Sequence, residues 1–304
     1  MNNNDHYVPQ FLLRRFCNDD GRLHVFDKWN DRSFVSSTRN VASEKGFYDV
    51  KLDDEIVSFE PLLSTFENAA LEALNAVVEN NSLAVLSDAD RVNVAYFLAI
   101  QTLRTRAQRE MLAQMDQGMR DTLPFKGVAP EDLPDDFYRN GEQLKADSVL
   151  HLPMAEEFVP HFLAKDWCLN APPAGATFFV SDHPVVRRNI HPPPSFMGNN
   201  GIASEGIQIY LPLSADLILC MLCPTLITPF REQQKELTEP IPILTAIDTG
   251  RAFVIPAECV TYCNSLQVAY SERFVFSCND DFSLAKGMLS TNPELRKPSH
   301  VVVQ

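Results

Sequence analysis

Apolar and polar positions change period along the chain, and each change marks a different kind of element. Val8-Pro9-Gln10-Phe11-Leu12-Leu13-Arg14-Arg15-Phe16 turns apolar and basic within a few residues of the start, where a free chain end is ordinarily polar and frayed. The expectation is a short helix or turn over 8–16 that docks into the body of the protein. Leu23-His24-Val25-Phe26-Asp27 and Ser33-Phe34-Val35-Ser36 read as two strands around a polar turn, and Gly46-Phe47-Tyr48-Asp49-Val50 as a third. From Glu60-Pro61 the period becomes helical. Leu62, Leu63, Phe66, Ala70, Leu74 and Val77 recur at helical steps, and proline near a helix start costs no hydrogen bond. Ser87 is placed to cap a second helix, with Asp88 and Asp90 in its first turn. That helix is predicted over about 89–117. Between Val92 and Ile100 it is apolar almost all round apart from Asn93, the mark of a buried helix.

Residues 120–141, with Pro124, Pro130, Pro134 and Glu131-Asp132, read as a surface loop or lid. Helices are predicted over 141–150 and 154–164. In the second half, 166–170 and 176–180 read as paired strands, and 206–213 and 217–223 as further strands. A loop rich in Pro, Gly and Asn separates them at 191–201. A helix over 256–269, a strand over 273–276 and a polar tail complete the pattern. The sum predicts an α+β fold in a single domain, 1–304. A helical middle (56–165) packs on a mixed, mainly antiparallel sheet (166–290), and a small β-rich unit (1–55) leads it.

Composition narrows this picture little. The 304 residues are 45% hydrophobic and 22% charged, enough apolar material for a sizeable core. No apolar run approaches the roughly 20 residues that cross a bilayer. The start, Met1-Asn2-Asn3-Asn4-Asp5, lacks the basic and apolar regions of a secretory signal. A soluble cytoplasmic protein with no membrane partner is expected. Net charge is −14 and the pI is 4.9, which argues against nonspecific nucleic-acid binding by the chain as a whole. Arg104, Arg106 and Arg109 remain a local basic cluster. Seven cysteines, an odd count, suggest reduced thiols. Cys220-Met221-Leu222-Cys223 has zinc-like spacing, but its apolar setting favours core packing. P-loop, dinucleotide, nucleophile-elbow and zincin motifs are missing from the sequence.

Three groups of residues have chemistry to offer. His6, followed by Tyr7-Val8-Pro9, sits on extended backbone and suits an acid, a base or a metal ligand. Equally, its ring suits a bond to a backbone carbonyl. Ser181-Asp182-His183-Pro184 follows a β-rich run and falls at a sheet rim. Asp182 there is a candidate base, metal ligand or orienting group, or the acceptor of a turn before Pro184. Gln101 and Arg104 share a helix face that Gln108 continues. A buried arginine needs an acid or an anionic ligand. Glu60, Glu67 and Asp182 are the candidate partners, and a structural ion pair between helices is the plainer reading.

These residues resemble those of a known family. His6-Tyr7-Val8-Pro9, Leu13-Arg14-Arg15-Phe16 and Val41-Ala42-Ser43-Glu44-Lys45-Gly46-Phe47-Tyr48 look like the HYVP-motif proteins, domain-of-unknown-function family 4238. Gln101-Thr102-Leu103-Arg104, Ser181-Asp182-His183-Pro184 and Tyr262-Cys263-Asn264 are similar to later landmarks of that family. Relatives often carry Asn where this chain has His183, so Asp182 is the stronger candidate. The resemblance brings no established activity. It implies that His6, Glu44, Gln101, Arg104, Asp182 and Asn264 belong to one constellation, with Tyr7 beside it. One expectation is a hydrolase of phosphoesters, nucleotides or nucleic acid, of nuclease or phosphoesterase type. His6 would be its acid/base or metal ligand, and Asp182 and Glu44 would orient His6 or bind a divalent metal. Gln101, Arg104, Tyr7 and Asn264 would hold an anionic substrate. The alternative is a non-enzymatic binding module, a ligand sensor or a neutralising partner in bacterial or phage conflict whose acidic surface engages a protein. In that case His6 and Arg104 lock the N-terminus onto the helical core.

Overall fold

The computed structural model describes residues 4–52, 55–129, 132–134, 137, 139–191 and 199–298. The N-terminal region holds β1 (Asn4–His6), α1 (Gln10–Arg14), β2 (Leu23–Asp27), β3 (Arg32–Ser36), β4 (Ser43–Lys45), β5 (Asp49–Leu52) and β6 (Glu55–Ser58). The helical middle follows: α2 (Glu60–Asn80), α3 (Asp88–Leu103), α4 (Arg106–Thr122), α5 (Gly141–Leu150) and α6 (Ala155–Leu163). Then come β7 (Asp166–Ala171), β8 (Val180–Ser181), β9 (Val186–Asn189), β10 (Ile207–Ser214) and β11 (Leu217–Leu222). After them lie α7 (Pro224–Gln234), α8 (Pro242–Thr249), β12 (Phe253–Val254), α9 (Ala257–Tyr270), β13 (Phe274–Ser277) and α10 (Ser283–Thr291). The architecture is α+β with mixed, mainly antiparallel sheets, as the pattern predicts. No helix among the described residues is long and apolar enough to cross a membrane.

One sheet runs β12-β7-β11-β10-β9, antiparallel except for the β12–β7 pair. Its two central strands, β10 and β11, are apolar on both faces and buried almost throughout. A second sheet runs β3-β2-β13-β8, all antiparallel. It joins the N-terminal unit to the end of the chain. α9 packs against both β8 and β9 and so bridges the two sheets. α3 is sandwiched between α2 and α6, which explains its nearly all-round apolar sequence. Cys220 sits opposite Cys168 in the β11–β7 ladder, within the core.

The N-terminal segment docks as its apolar pattern requires. Val8, Leu12, Leu13 and Phe16 are fully buried. Helix starts also follow the sequence: Ser87 and Asp90 form a reciprocal capping box at the head of α3. Four features depart from the pattern. First, the helix predicted over 89–117 breaks at Arg104–Thr105. Thr105 is extended, and its Oγ1 accepts the Gln108 N–H to start α4, a Thr-x-x-Gln cap signal hidden inside a continuing helical period. Second, 166–170 and 176–180 do not pair. β7 lies between β11 and β12, and only 180–181 is strand, on β13. The Phe178 and Phe179 N–H groups go instead to the Ala215 carbonyl and the Asn264 side chain. Third, the strand expected over 46–50 begins only at Asp49, because Gly46 turns the chain at φ +61°. Fourth, the polar tail contains α10, whose Ala285 and Leu289 join Phe26, Phe179 and Phe282 in a second apolar cluster. Much of the 191–201 loop, at 192–198, and the Glu131 and Pro130 part of the 120–141 loop lie outside the described residues.

α8 shows how tightly one junction is specified. It ends at Gly250, at φ +67°, whose carbonyl accepts the Leu83 N–H at 2.6 Å. A Cβ there would meet the Ala84 nitrogen at 2.8 Å and the Leu83 carbonyl carbon at 3.2 Å. Both are backbone atoms that cannot step aside. Gly250→Ala is therefore expected to lower unfolding stability by roughly 2–3 kcal/mol, left-handed strain plus overpacking. Gly127→Ala, also left-handed but with open space around it, is expected to cost about 1 kcal/mol. Urea unfolding of both variants checks the difference.

Candidate functional site

β1 brings His6 into the body of the protein by pairing with β4, in the register Asp5↔Glu44 and His6↔Ser43. The imidazole is half-buried, and its Nε2 lies 3.2 Å from the Thr38 carbonyl. A carbonyl only accepts, so Nε2 carries the proton and Nδ1 is the basic nitrogen. Burial holds the His6 pKa below the usual histidine value, against the pull of the Thr38 carbonyl and the Glu67 charge.

Behind His6 the end of α3 fastens the strand. The Gln101 amide donates to the Tyr7 carbonyl at 2.9 Å. Its Oε1 accepts from Arg104 Nε at 2.8 Å and Nη2 at 2.7 Å. Arg104 Nη1 donates to Glu67 Oε1 at 2.6 Å. The guanidinium is completely buried. Burial alone would lower its pKa, but Glu67, Tyr48 and Glu60 outweigh that and hold it above the usual value. The Tyr48 hydroxyl sits 3.4 Å from the carbonyls of both His6 and Arg104, and the Tyr48 N–H donates to Asp5. The backbone carbonyls of His6 and Arg104 thus meet at the Tyr48 hydroxyl.

Acid accumulates here. Burial, with repulsion from Asp5 and Glu67, pushes the half-buried Glu60 carboxyl up to about 7, against the pull of Arg104. Burial also raises Asp5. Of the two acids proposed for Arg104 on α2, Glu67 makes the ion pair and Glu60 is the titrating neighbour. Asp5 and Tyr48 escaped the sequence reading. The available signals were an acid flanking His6 in an inward-turning tail and a tyrosine at the end of a family motif.

The remaining candidates are placed elsewhere. Asp182 lies at the rim beyond β8, fully buried. Its Oδ1 accepts the Glu272 N–H, and its Oδ2 accepts those of Arg273 and Phe274, all at 2.8 Å. Burial pushes its carboxyl up to about 6 against the pull of these N–H groups and of Lys28. Lys28 is itself buried, donates to the Val268 and Ser271 carbonyls, and is pulled down to about 8 by desolvation. Asp182 acts electrostatically on the buried Tyr7 phenol. Among the described residues it makes no hydrogen bond to His6, Tyr7 or Arg104. Asn264 clamps the irregular 177–179 segment, accepting from the Phe179 N–H and donating to the Thr177 carbonyl. Glu44 is half-exposed and pairs with Arg109, which stacks on the Phe47 ring. Tyr7 packs its ring on the same Phe47. Among the described residues no three His, Cys, Asp or Glu side chains group as metal ligands.

The family model described as "Protein of unknown function (DUF4238)" matches residues 4–281, and the chain belongs to that family. No curated protein and no solved structure matches significantly.

The two acids assigned to the constellation from sequence should respond differently to loss of charge. Asp182→Asn sets an amide N–H against a backbone N–H in a fully buried place. It is expected to cost about 2–3 kcal/mol. Glu44→Gln, at a half-exposed pair 3.3 Å apart, is expected to change stability by less than about 0.5 kcal/mol. Denaturant unfolding at pH 7.5 checks both.

Proposed function

We propose that this member of the DUF4238 family is a non-enzymatic binding module in which His6, Gln101 and Arg104 fasten the N-terminal strand to the helical core. One observation carries this reading. The polar groups of Gln101, Arg104, Asp182 and Asn264 are taken up by bonds inside the protein. Arg104 in particular has no face left for an anionic substrate. An unpaired arginine would have supported substrate binding, whereas one satisfied by Glu67 and Gln101 supports a lock. The partner it fits is a small molecule or a protein.

The hydrolase reading keeps one supporting observation, the cluster of Glu60, Glu67 and His6. A carboxyl near 7 with Glu67 as its neighbour, and a histidine held below its usual value by burial beside the same Glu67, is the setting for acid–base work. His6 and Glu60 would then share the proton transfers, in place of His6 and Asp182.

Glu60→Gln separates the two readings. In the native state Glu60 holds its proton up to about 7, whereas an unfolded glutamate releases it near 4.5. Between those values the folded chain binds more protons, so stability falls as pH rises from 4.5 to 7. Glu60→Gln removes that fall. It is expected to match wild type at pH 4 and exceed it at pH 8 by on the order of 1 kcal/mol, discounted for the partial exposure of Glu60. Arg104→Met, which leaves Glu67 and Gln101 unpaired, is expected to lose about 3–5 kcal/mol. A screen with 4-nitrophenyl phosphate, bis(4-nitrophenyl) phosphate and nucleic acid, with and without magnesium or manganese, is expected to give no turnover. Wild-type turnover that vanishes in the folded Glu60→Gln protein would overturn the binding reading.

A further inference from the structure

Beyond the Arg104–Thr105 break, the chain turns away from Glu67 and forms one wall of a separate cavity of about 420 Å³. Thr105 Oγ1 lies 2.7 Å from His183 Nδ1 while accepting the Gln108 N–H. This bond sets His183 in the cavity wall. Arg187, on the edge strand β9, lines the cavity with Gln108, Tyr270 and Glu294, and Met111 and Leu295 supply apolar surface.

Arg187 differs from the other buried arginines of the chain. Arg104 has Glu67 and Gln101, and Arg109 has Glu44 and the Phe47 carbonyl. Among the described residues, no hydrogen bond and no ion pair within 4 Å reaches the Arg187 guanidinium. The head lies deep, and burial pulls its pKa below the usual value, with the Tyr270 phenol acting in the other direction. Water nonetheless reaches it, since the residue is only half-buried by surface area. A half-buried charge that lines a cavity with no partner from the described residues suits a ligand, because a cation without a partner costs stability.

The geometry points to a binding site for a small monoanionic carboxylate with an apolar or aromatic body, its carboxylate on the Arg187 fork. This rests on the binding reading above and names its ligand class. A planar guanidinium offers paired N–H donors matched to a carboxylate. Charge count selects a monoanion: among the described residues no lysine and no second arginine lines the cavity, and Glu294 adds negative charge to its wall. A dianion or polyphosphate would go half-neutralised in a chain already at −14. The cavity volume falls within the range of metabolite pockets, and Met111, Leu295 and Tyr270 suit the body of such a molecule.

Ligand-observed NMR on the full chain tests this, with benzoate as probe and benzamide and phenyl phosphate as comparators. Benzoate is expected to bind wild type, with benzamide at least about tenfold weaker because the charge is gone. Arg187→Gln is expected to weaken benzoate at least about tenfold, with an unfolding midpoint at or above wild type, since an unpaired buried charge has been removed. Arg187→Lys keeps the charge but loses the fork, and should fall between. Absence of benzoate binding, or equal binding to Arg187→Gln, overturns the site. So does a midpoint well below wild type in Arg187→Gln, which would make Arg187 a structural group. Tighter binding of phenyl phosphate than of benzoate overturns the carboxylate class. Release of phenol from phenyl phosphate would sink the non-catalytic reading separately, leaving the carboxylate site to stand on the benzoate arm.

Discussion

A fully buried guanidinium must be surrounded by acceptors, and that requirement organises the N-terminal half of this protein. Arg104 meets it with Glu67 from α2 and Gln101 from its own helix, and Gln101 passes the constraint on to the Tyr7 carbonyl. One chain of bonds thus joins α2, α3 and the docked N-terminus. Each guanidinium nitrogen of Arg104 finds an acceptor, which a low-dielectric interior demands. The break between α3 and α4 follows from the same point. With Arg104 held inward at the helix end, Thr105 can leave helical geometry and start a new helix in another direction.

A second buried charge does comparable work in the other half. Asp182 gathers three successive backbone N–H groups, those of 272–274, where the chain leaves α9 and enters β13. Asn264 clamps 177–179 with a neutral amide, accepting one backbone N–H and donating to one carbonyl. Between them these side chains replace ladder bonds that the short strand β8 does not supply. Both sheets reach α9 through this region, so Asp182 sits at a joint of the fold. A carboxylate is better suited to it than an amide, because all three of its neighbours donate.

How much of this could be read in the sequence depends on whether the cause was local. The α2 stripe, the Ser87 cap and the inward-turning 8–16 segment were legible, because periodicity and capping act over a few residues. β1 was not. It is three residues long, polar in composition, and exists only because Ser43–Lys45 lies alongside it. The α3–α4 break was masked by Ala107 and Met111, which continue the helical period across it. Asp182, Gln101 and Arg104 were recognised as residues that need partners, and Glu67 was named among them. What the sequence withheld was the assortment. Asp182 meets backbone ninety residues away, and His6 meets Thr38. β9 went unread in the sequence, and it carries Arg187 and Arg188 on opposite faces. Nothing local says which of the two would lie deep and unpaired.

Arg104 and Arg187 pose the same electrostatic problem and answer it differently. Around Arg104, burial and then the neighbouring acids keep the proton on Glu60 up to about 7, and the guanidinium is raised in spite of complete burial. Around Arg187 desolvation outweighs the opposing Tyr270 phenol, and its pKa is lowered. A fold that pairs one arginine with such redundancy does not lack the means to pair another, and Glu294 stands in the same cavity wall without reaching it. Solvent reaches Arg187, which is half-buried and lines the cavity, so water can solvate it in the free protein. Any molecule that displaces that water inherits the charge, and an apolar one would leave it bare at a cost exceeding its own burial gain. The cavity therefore discriminates by charge before it discriminates by shape. The apolar residues of its wall act only on ligands that bring a negative group with them.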